Sequence, residues 1–137
     1  MATKINVKTT INAPISKVWE SWTNPIHIIH WNHASDDWHT PKAENDLRVD
    51  GKFSYIMAAK DGSFSFDFWG VYTQIIKYKI IAITLGDDRN LEITFTADSD
   101  FTHVSETFDA EDENSVELQQ TGWQAILDNF KKYTELI

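Results

Sequence analysis

The hydrophobic and polar positions of this chain keep two periods. Ile5, Val7, Thr9 and Ile11 alternate with Lys4, Asn6, Lys8 and Thr10, which predicts a strand with one face buried. Pro14 then suits the first turn of a helix, and Ile15, Val18, Trp19 and Trp22 make its apolar face. Thr23-Asn24-Pro25 repeats the cap-then-proline signal and predicts a second short helix ending near Trp31. From Asn32 to Asn45 neither period holds. His33, Asp36, Asp37, His39 and Pro41 punctuate a stretch of 14 residues that reads as the longest loop. Loops of that length tend to be functional or mobile.

Alternation returns in residues 52–59 and 64–72, which flank Asp61-Gly62, a strong hairpin signal. A two-residue turn there sets Met57 opposite Phe66, Tyr55 opposite Phe68 and Phe53 opposite Gly70, all on one face. Phe53 is expected to cover the gap at Gly70. The other face carries Lys52, Ser54, Ser65 and Asp67, but also Ile56, Trp69 and Val71. Ile81, Ile83 and Leu85 predict another strand, ended by Gly86-Asp87-Asp88. Leu91, Ile93, Phe95 and Ala97 share the inward parity of the next, and Val104, Glu106, Phe108 and Ala110 that of the last. Short turns make these an antiparallel meander.

The final stretch returns to helical spacing. Trp123, Ile126, Leu127, Phe130, Tyr133 and Ile137 fall three or four apart. Asn114 is the expected cap, with Glu117 reaching back to it, and Lys131 and Lys132 favour the helix C-terminus. About 20 helical residues span roughly 30 Å, the width of a small domain. Such a helix needs a broad apolar partner. The order is strand, two helices, about six strands and one long helix. It predicts a single α+β domain over residues 1–137, a curved antiparallel sheet of about seven strands around the C-terminal helix.

Composition narrows the functions. The net charge is −9, and eight acidic residues with no Lys or Arg lie between Asp98 and Glu117. That disfavours nucleic acid and anionic membranes, which need cationic surface; a solubilising acidic face is the plainer meaning. The absence of cysteine excludes disulfides, thiolate catalysis and Cys-ligated zinc. The N-terminus has no signal-peptide core and no apolar run approaches membrane-spanning length, so a cytoplasmic protein is expected. Six Trp and eight Phe are a rich aromatic complement, suited to a core or to a pocket for flat apolar molecules.

Several motifs resemble the START-like, or SRPBCC, superfamily, which shares the fold of the birch-pollen allergen. They are Asn12-Ala-Pro14 with Val18-Trp19, Asp46-Leu-Arg48-Val-Asp-Gly51, Asp61-Gly62, Phe68-Trp-Gly70-Val-Tyr72, Glu106-Thr-Phe108, and Gly122-Trp123-Gln-Ala-Ile-Leu127-Asp-Asn-Phe130-Lys-Lys-Tyr133. The chain looks most like the branch named after the activator of heat-shock-protein-ninety ATPase. The likeness runs through essentially the whole chain, and the C-terminal motif is its most specific part. It implies a helix-grip fold with a hydrophobic cavity between sheet and helix. One departure is Asp50 before Gly51, where the family carries Gly-Gly. The resemblance also implies that co-chaperone activity belongs to longer members with an additional domain.

Glu106 is the sharpest chemical anomaly, a carboxyl on a strand face that points inward. Buried, it must find a partner or hold its proton. It is a candidate ligand anchor or general acid/base; the alternative is a structural hydrogen bond to Tyr55, a Trp or Arg48, or a site near water at the strand end. His27, His30 and His33 recur at steps of three, followed by His39, but no supporting motif accompanies them, so no metal is expected. Trp31 and Trp38 bracket the long loop, at a cavity mouth or in the core. Gly122 interrupts the helix at about 1 kcal/mol relative to Ala, for close backbone approach or for cavity space.

The leading expectation is a module that binds a small hydrophobic molecule, without a cofactor. Trp31, Tyr55, Met57, Phe66, Phe68, Ile93, Phe95, Trp123 and Leu127 would give apolar contact, and Glu106 orientation. A second reading is a cyclase- or hydrolase-type enzyme in the same cavity, with Glu106 and Tyr55 as acid/base candidates. A third is a chaperone-associated interaction protein. Ile56, Trp69 and Val71 form an outer apolar patch that suits a homodimer or another partner.

Overall fold

The computed structural model describes residues 3–137. Met1 and Ala2, the start of the expected domain, lie outside the described residues. The elements are β1 (Lys4–Ile11), α1 (Ile15–Thr23), α2 (Pro25–Trp31), β2 (Trp38–Asn45), β3 (Lys52–Ala59), β4 (Ser65–Ile76), β5 (Ile80–Leu85), β6 (Asn90–Asp98), β7 (Phe101–Asp109) and α3 (Val116–Leu136). All seven strands form one antiparallel sheet in the order β1-β7-β6-β5-β4-β3-β2. The sheet curls into a half-barrel that grips α3, the α+β helix-grip arrangement the sequence predicts.

Local chemistry sets the entry of each helix. Pro14 precedes α1, and Pro25 opens α2, where Asn24 accepts a hydrogen bond from the Ile26 amide at 3.0 Å. The cap of α3 is Ser115, not Asn114: its hydroxyl accepts from the Leu118 amide at 3.1 Å. Glu117 then stands one residue too early for a capping box. Asn114 belongs to the turn before the helix, bonded to Glu111. Gln119 clasps that turn by donating to the Glu111 and Asn114 carbonyls and accepting from the Glu111 amide.

The stretch expected to be a 14-residue loop contains an edge strand. β2 pairs with β3 along its length, with a register shift between His39 and Lys42. Pro41 sits in that irregularity, where a missing N–H costs no ladder bond. An edge strand exposed for much of its length does not show strict alternation, so its sequence reads as loop. The β3–β4 hairpin keeps the expected register, with Met57 opposite Phe66, Tyr55 opposite Phe68 and Phe53 opposite Gly70. Its connection is wider than two residues: Ala59 N–H bonds the Phe64 carbonyl, and Asp61 accepts from Ser63 N–H. Phe53 does cover Gly70; a Cβ added there would meet its ring at 2.8 Å. Asp50 stands with φ 71° where the resemblance implied glycine, a left-handed conformation that Asp tolerates better than most residues.

α3 lies alongside β1, which is one edge of the sheet. Gln120 and Gln124 donate to the carbonyls of Asn6 and Lys8 at 3.3 and 3.2 Å, and Lys131 to that of Thr10 at 2.6 Å. These are alternate residues of β1, whose outward carbonyls no further strand pairs. Lys131 is thereby engaged with the sheet and with Glu135, not with the helix end. Leu127, Phe130 and Thr134 are the buried stripe of α3; Ile137, expected on that face, is half exposed at the terminus. Phe130 sits edge-on to Trp22 and Trp31 at 4.8 and 4.9 Å and locks the short helices to the long one.

Candidate functional site

The inward positions of the strands do not all reach α3. Between them lies a cavity of about 380 Å³. Its floor is the concave face of the sheet: Phe53, Tyr55 and Met57 from β3, Phe66, Phe68 and Tyr72 from β4, Ile81 and Ile83 from β5, Leu91 and Ile93 from β6, and Glu106 from β7. Period two puts alternate residues of each strand there. Leu118, Gly122, Trp123 and Ile126 of α3 form the roof, and Trp22 and Trp31 close the end toward α1 and α2. Gly122 opens onto this space: a Cβ added there meets nothing within 4 Å. Of the two reasons weighed for this glycine, the geometry supports room and not backbone approach.

Trp31, Tyr55, Met57, Phe66, Phe68, Ile93, Glu106 and Trp123 therefore line one cavity. Phe95 and Leu127 do not. Phe95 is buried at 5.2 Å from the Trp19 ring and 5.9 Å from that of Trp22, under α1. Leu127 is fully buried in the packed core, beside Ile126, which takes the place expected of it. The parity of both residues is right; parity alone does not say how far along an element the packing closes. Sequence reasoning missed the polar rim of Arg89, Glu111, Asn114 and Gln119. Glu111 falls in the acidic run read as solubilising surface, and Arg89 in a turn, so neither carried a periodic signal.

Glu106 is 5% exposed and lies between Val7 of β1 and Ile93 of β6 in the sheet. Burial pushes its carboxyl up to about 8, and no neighbouring charge or hydrogen bond contributes. Two of the structural partners weighed for it, Arg48 and Tyr55, are engaged elsewhere. Arg48 pairs with Asp46 at the surface at 2.7 Å, and the Tyr55 hydroxyl pairs with that of Tyr72. Burial foremost, then Tyr72, holds the Tyr55 phenol well above its ordinary value, so it stays protonated. Tyr72 in turn accepts a long hydrogen bond, 3.4 Å, from Asn45.

Two of the histidines tie α2 to α3. His27 Nδ1 is 2.7 Å from the Tyr133 hydroxyl, and His30 stacks on the Tyr133 ring at 5.7 Å. His33 keeps a buried Nδ1 without a partner, and burial lowers its proton affinity. Among the described residues no three His, Asp or Glu converge on a metal-sized space. Trp38 does not line the cavity; it packs on Phe64 and Phe66 at 6.2 and 6.1 Å. On the convex face Trp69 lies against Gly86, under the Lys52 ammonium at 4.5 Å, with Ile56 and Val71 half-buried. No helix of the described residues is long and apolar enough to cross a membrane.

The model of the family "Activator of Hsp90 ATPase homolog 1-like protein" matches residues 12–135. The chain is 43% identical to an AHSA1-like protein from Aeromonas hydrophila, covering 98% of this chain and 93% of that one, with a TM-score of 0.91. It is 53% identical to a protein from Cytophaga hutchinsonii, covering 97% and 92%, with a TM-score of 0.84. A Chromobacterium violaceum protein at 22% identity shares the fold, with a TM-score of 0.87 over 97% and 98% of the two chains. No curated protein matches the chain.

Proposed function

The chain belongs to the activator of Hsp90 ATPase homolog 1-like family, a branch of the START-like superfamily, and on that premise we propose that it binds a small hydrophobic molecule between the sheet and α3. The cavity carries this reading. A space of about 380 Å³ lies within the range of small-molecule sites. Aromatic rings and aliphatic side chains make most of its wall, with a few polar groups to fix orientation. Water gains little in such a place, whereas an apolar guest gains its full transfer energy.

N-phenyl-1-naphthylamine, a neutral fluorophore that brightens in apolar surroundings, tests the reading directly. The wild-type protein should enhance its emission saturably, and Gly122→Leu, which places a side chain in the cavity, should abolish the enhancement. Binding that is absent in wild type, or unaffected by Gly122→Leu, rejects the cavity as the site. Native mass spectrometry of protein purified from its source would then give the mass of the natural guest.

A further inference from the structure

Resting on that reading, we propose that the cavity selects neutral molecules carrying a hydrogen-bond acceptor, a carbonyl or ether oxygen, which accepts a hydrogen bond from the protonated Glu106 carboxyl. Three observations converge. Glu106 lines the cavity and is only 5% exposed, so its carboxyl is within reach of a molecule held there. Its carboxyl makes no hydrogen bond to the residues around it and is shifted by burial alone, so its proton is free to be offered to whatever occupies the cavity. The side chains around it in the sheet, Val7, Ile93, Val104 and Phe108, offer neither charge nor hydrogen bond.

The protonation state follows from the surroundings. The titratable groups that share the cavity are Tyr55 on β3, Tyr72 on β4, Arg89 in the β5–β6 turn and Glu111 before α3. None of them shifts Glu106, and burial alone keeps it an acid at neutral pH. Arg89 is turned to Asp87 at 2.7 Å and to the Asp109 carbonyl at 3.2 Å. An acid in an apolar wall donates one hydrogen bond. A neutral acceptor satisfies it at no cost in charge. A cationic amine would instead require two charges to leave water, and the desolvation of both opposes that pairing.

Three probes of one shape decide between the partners: benzophenone carries the acceptor, diphenylmethane lacks it, and diphenylmethylamine is cationic. Displacement of N-phenyl-1-naphthylamine at pH 6 should show benzophenone binding roughly tenfold more tightly than diphenylmethane, the worth of one well-made hydrogen bond. Glu106→Gln, which keeps a neutral donor, should retain the preference, and Glu106→Ala should erase it. In wild type the preference should also fade above about pH 8, where Glu106 loses its proton; this arm needs no variant to fold. Equal affinity for benzophenone and diphenylmethane, a preference that survives Glu106→Ala, or a preference for the amine overturns the proposal while leaving the cavity a binding site. Failure of all three probes to displace the fluorophore overturns both.

Discussion

Trp123 stacks on Phe108 with ring centroids 3.8 Å apart and planes 17° from parallel. One ring comes from the roof of the cavity and the other from the strand that carries Glu106, two positions away. Trp123 also meets Phe68 edge-on at 6.0 Å. A single indole thus joins α3 to two strands and forms part of the cavity wall.

Trp123→Ala should cost about 3 kcal/mol of stability, because it removes the stack and leaves Phe108 under a widened void. Urea unfolding followed by circular dichroism measures it. Trp123→Phe, which keeps a ring there, should cost less than half as much.

Gly122→Leu separates binding from folding. Nothing lies within 4 Å of an added Cβ, and leucine is a better helix former by up to about 1 kcal/mol. The melting temperature should stay level or rise while binding is lost. A large fall in melting temperature would show that the space is not there to be filled.

Glu106 makes stability depend on pH in an unusual direction. Its acid ionises near 4.5 in the unfolded chain and near 8 when folded. Between those values the folded form holds a proton that unfolding releases, so rising pH favours the unfolded state. The penalty is absent below about pH 4, grows through the window from 4.5 to 8 and is level above it. Glu106→Gln should therefore match wild type in stability at pH 4 and exceed it by a few kcal/mol at pH 8 to 9. Denaturant midpoints at the two pH values check both the sign and the window.

Ser115→Ala should cost about 1 kcal/mol through loss of the α3 cap, whose hydroxyl accepts the Leu118 amide. Loss of helicity in the first turn, read by hydrogen exchange at Leu118, would be its local signature. An unchanged exchange rate there would place the cap elsewhere.

Where side chains alternate against a packed partner, the sequence was legible to the residue. The register of Met57 with Phe66 and Phe53 with Gly70 follows from parity and a turn signal, and Glu106 is visible as a charge out of phase with its face. Legibility failed where the controlling fact is not periodic. β2 is an edge strand with a proline in its bulge, and nothing local distinguishes that from a loop. Asn114 and Ser115 are both good caps, and the choice between them rests on Gln119 reaching back to the turn. Phe95 and Phe66 have the same inward parity, yet α1 covers the first and leaves the second at the cavity. The site is thus half written in strand parity and half in how far each helix reaches over the sheet.

The bonds from Gln120, Gln124 and Lys131 to Asn6, Lys8 and Thr10 make the two flanks of α3 mechanically unequal. Lifting the helix from β1 breaks all three and bares an edge strand to pairing with other chains. The C-terminal half is further moored to α2 through Tyr133, which meets His27, and to the segment after α2 through Asn129, which donates to the His33 carbonyl. Toward β4 the stretch from Leu118 to Ile126 is held by the ring contact of Trp123 with Phe68. That stretch is also the one that roofs the cavity. Rocking the N-terminal half of α3 about β1, like a door on its hinge, would keep those three bonds and the edge covered while widening the gap over β3 and β4, and would have to part Trp123 from Phe68 and Phe108.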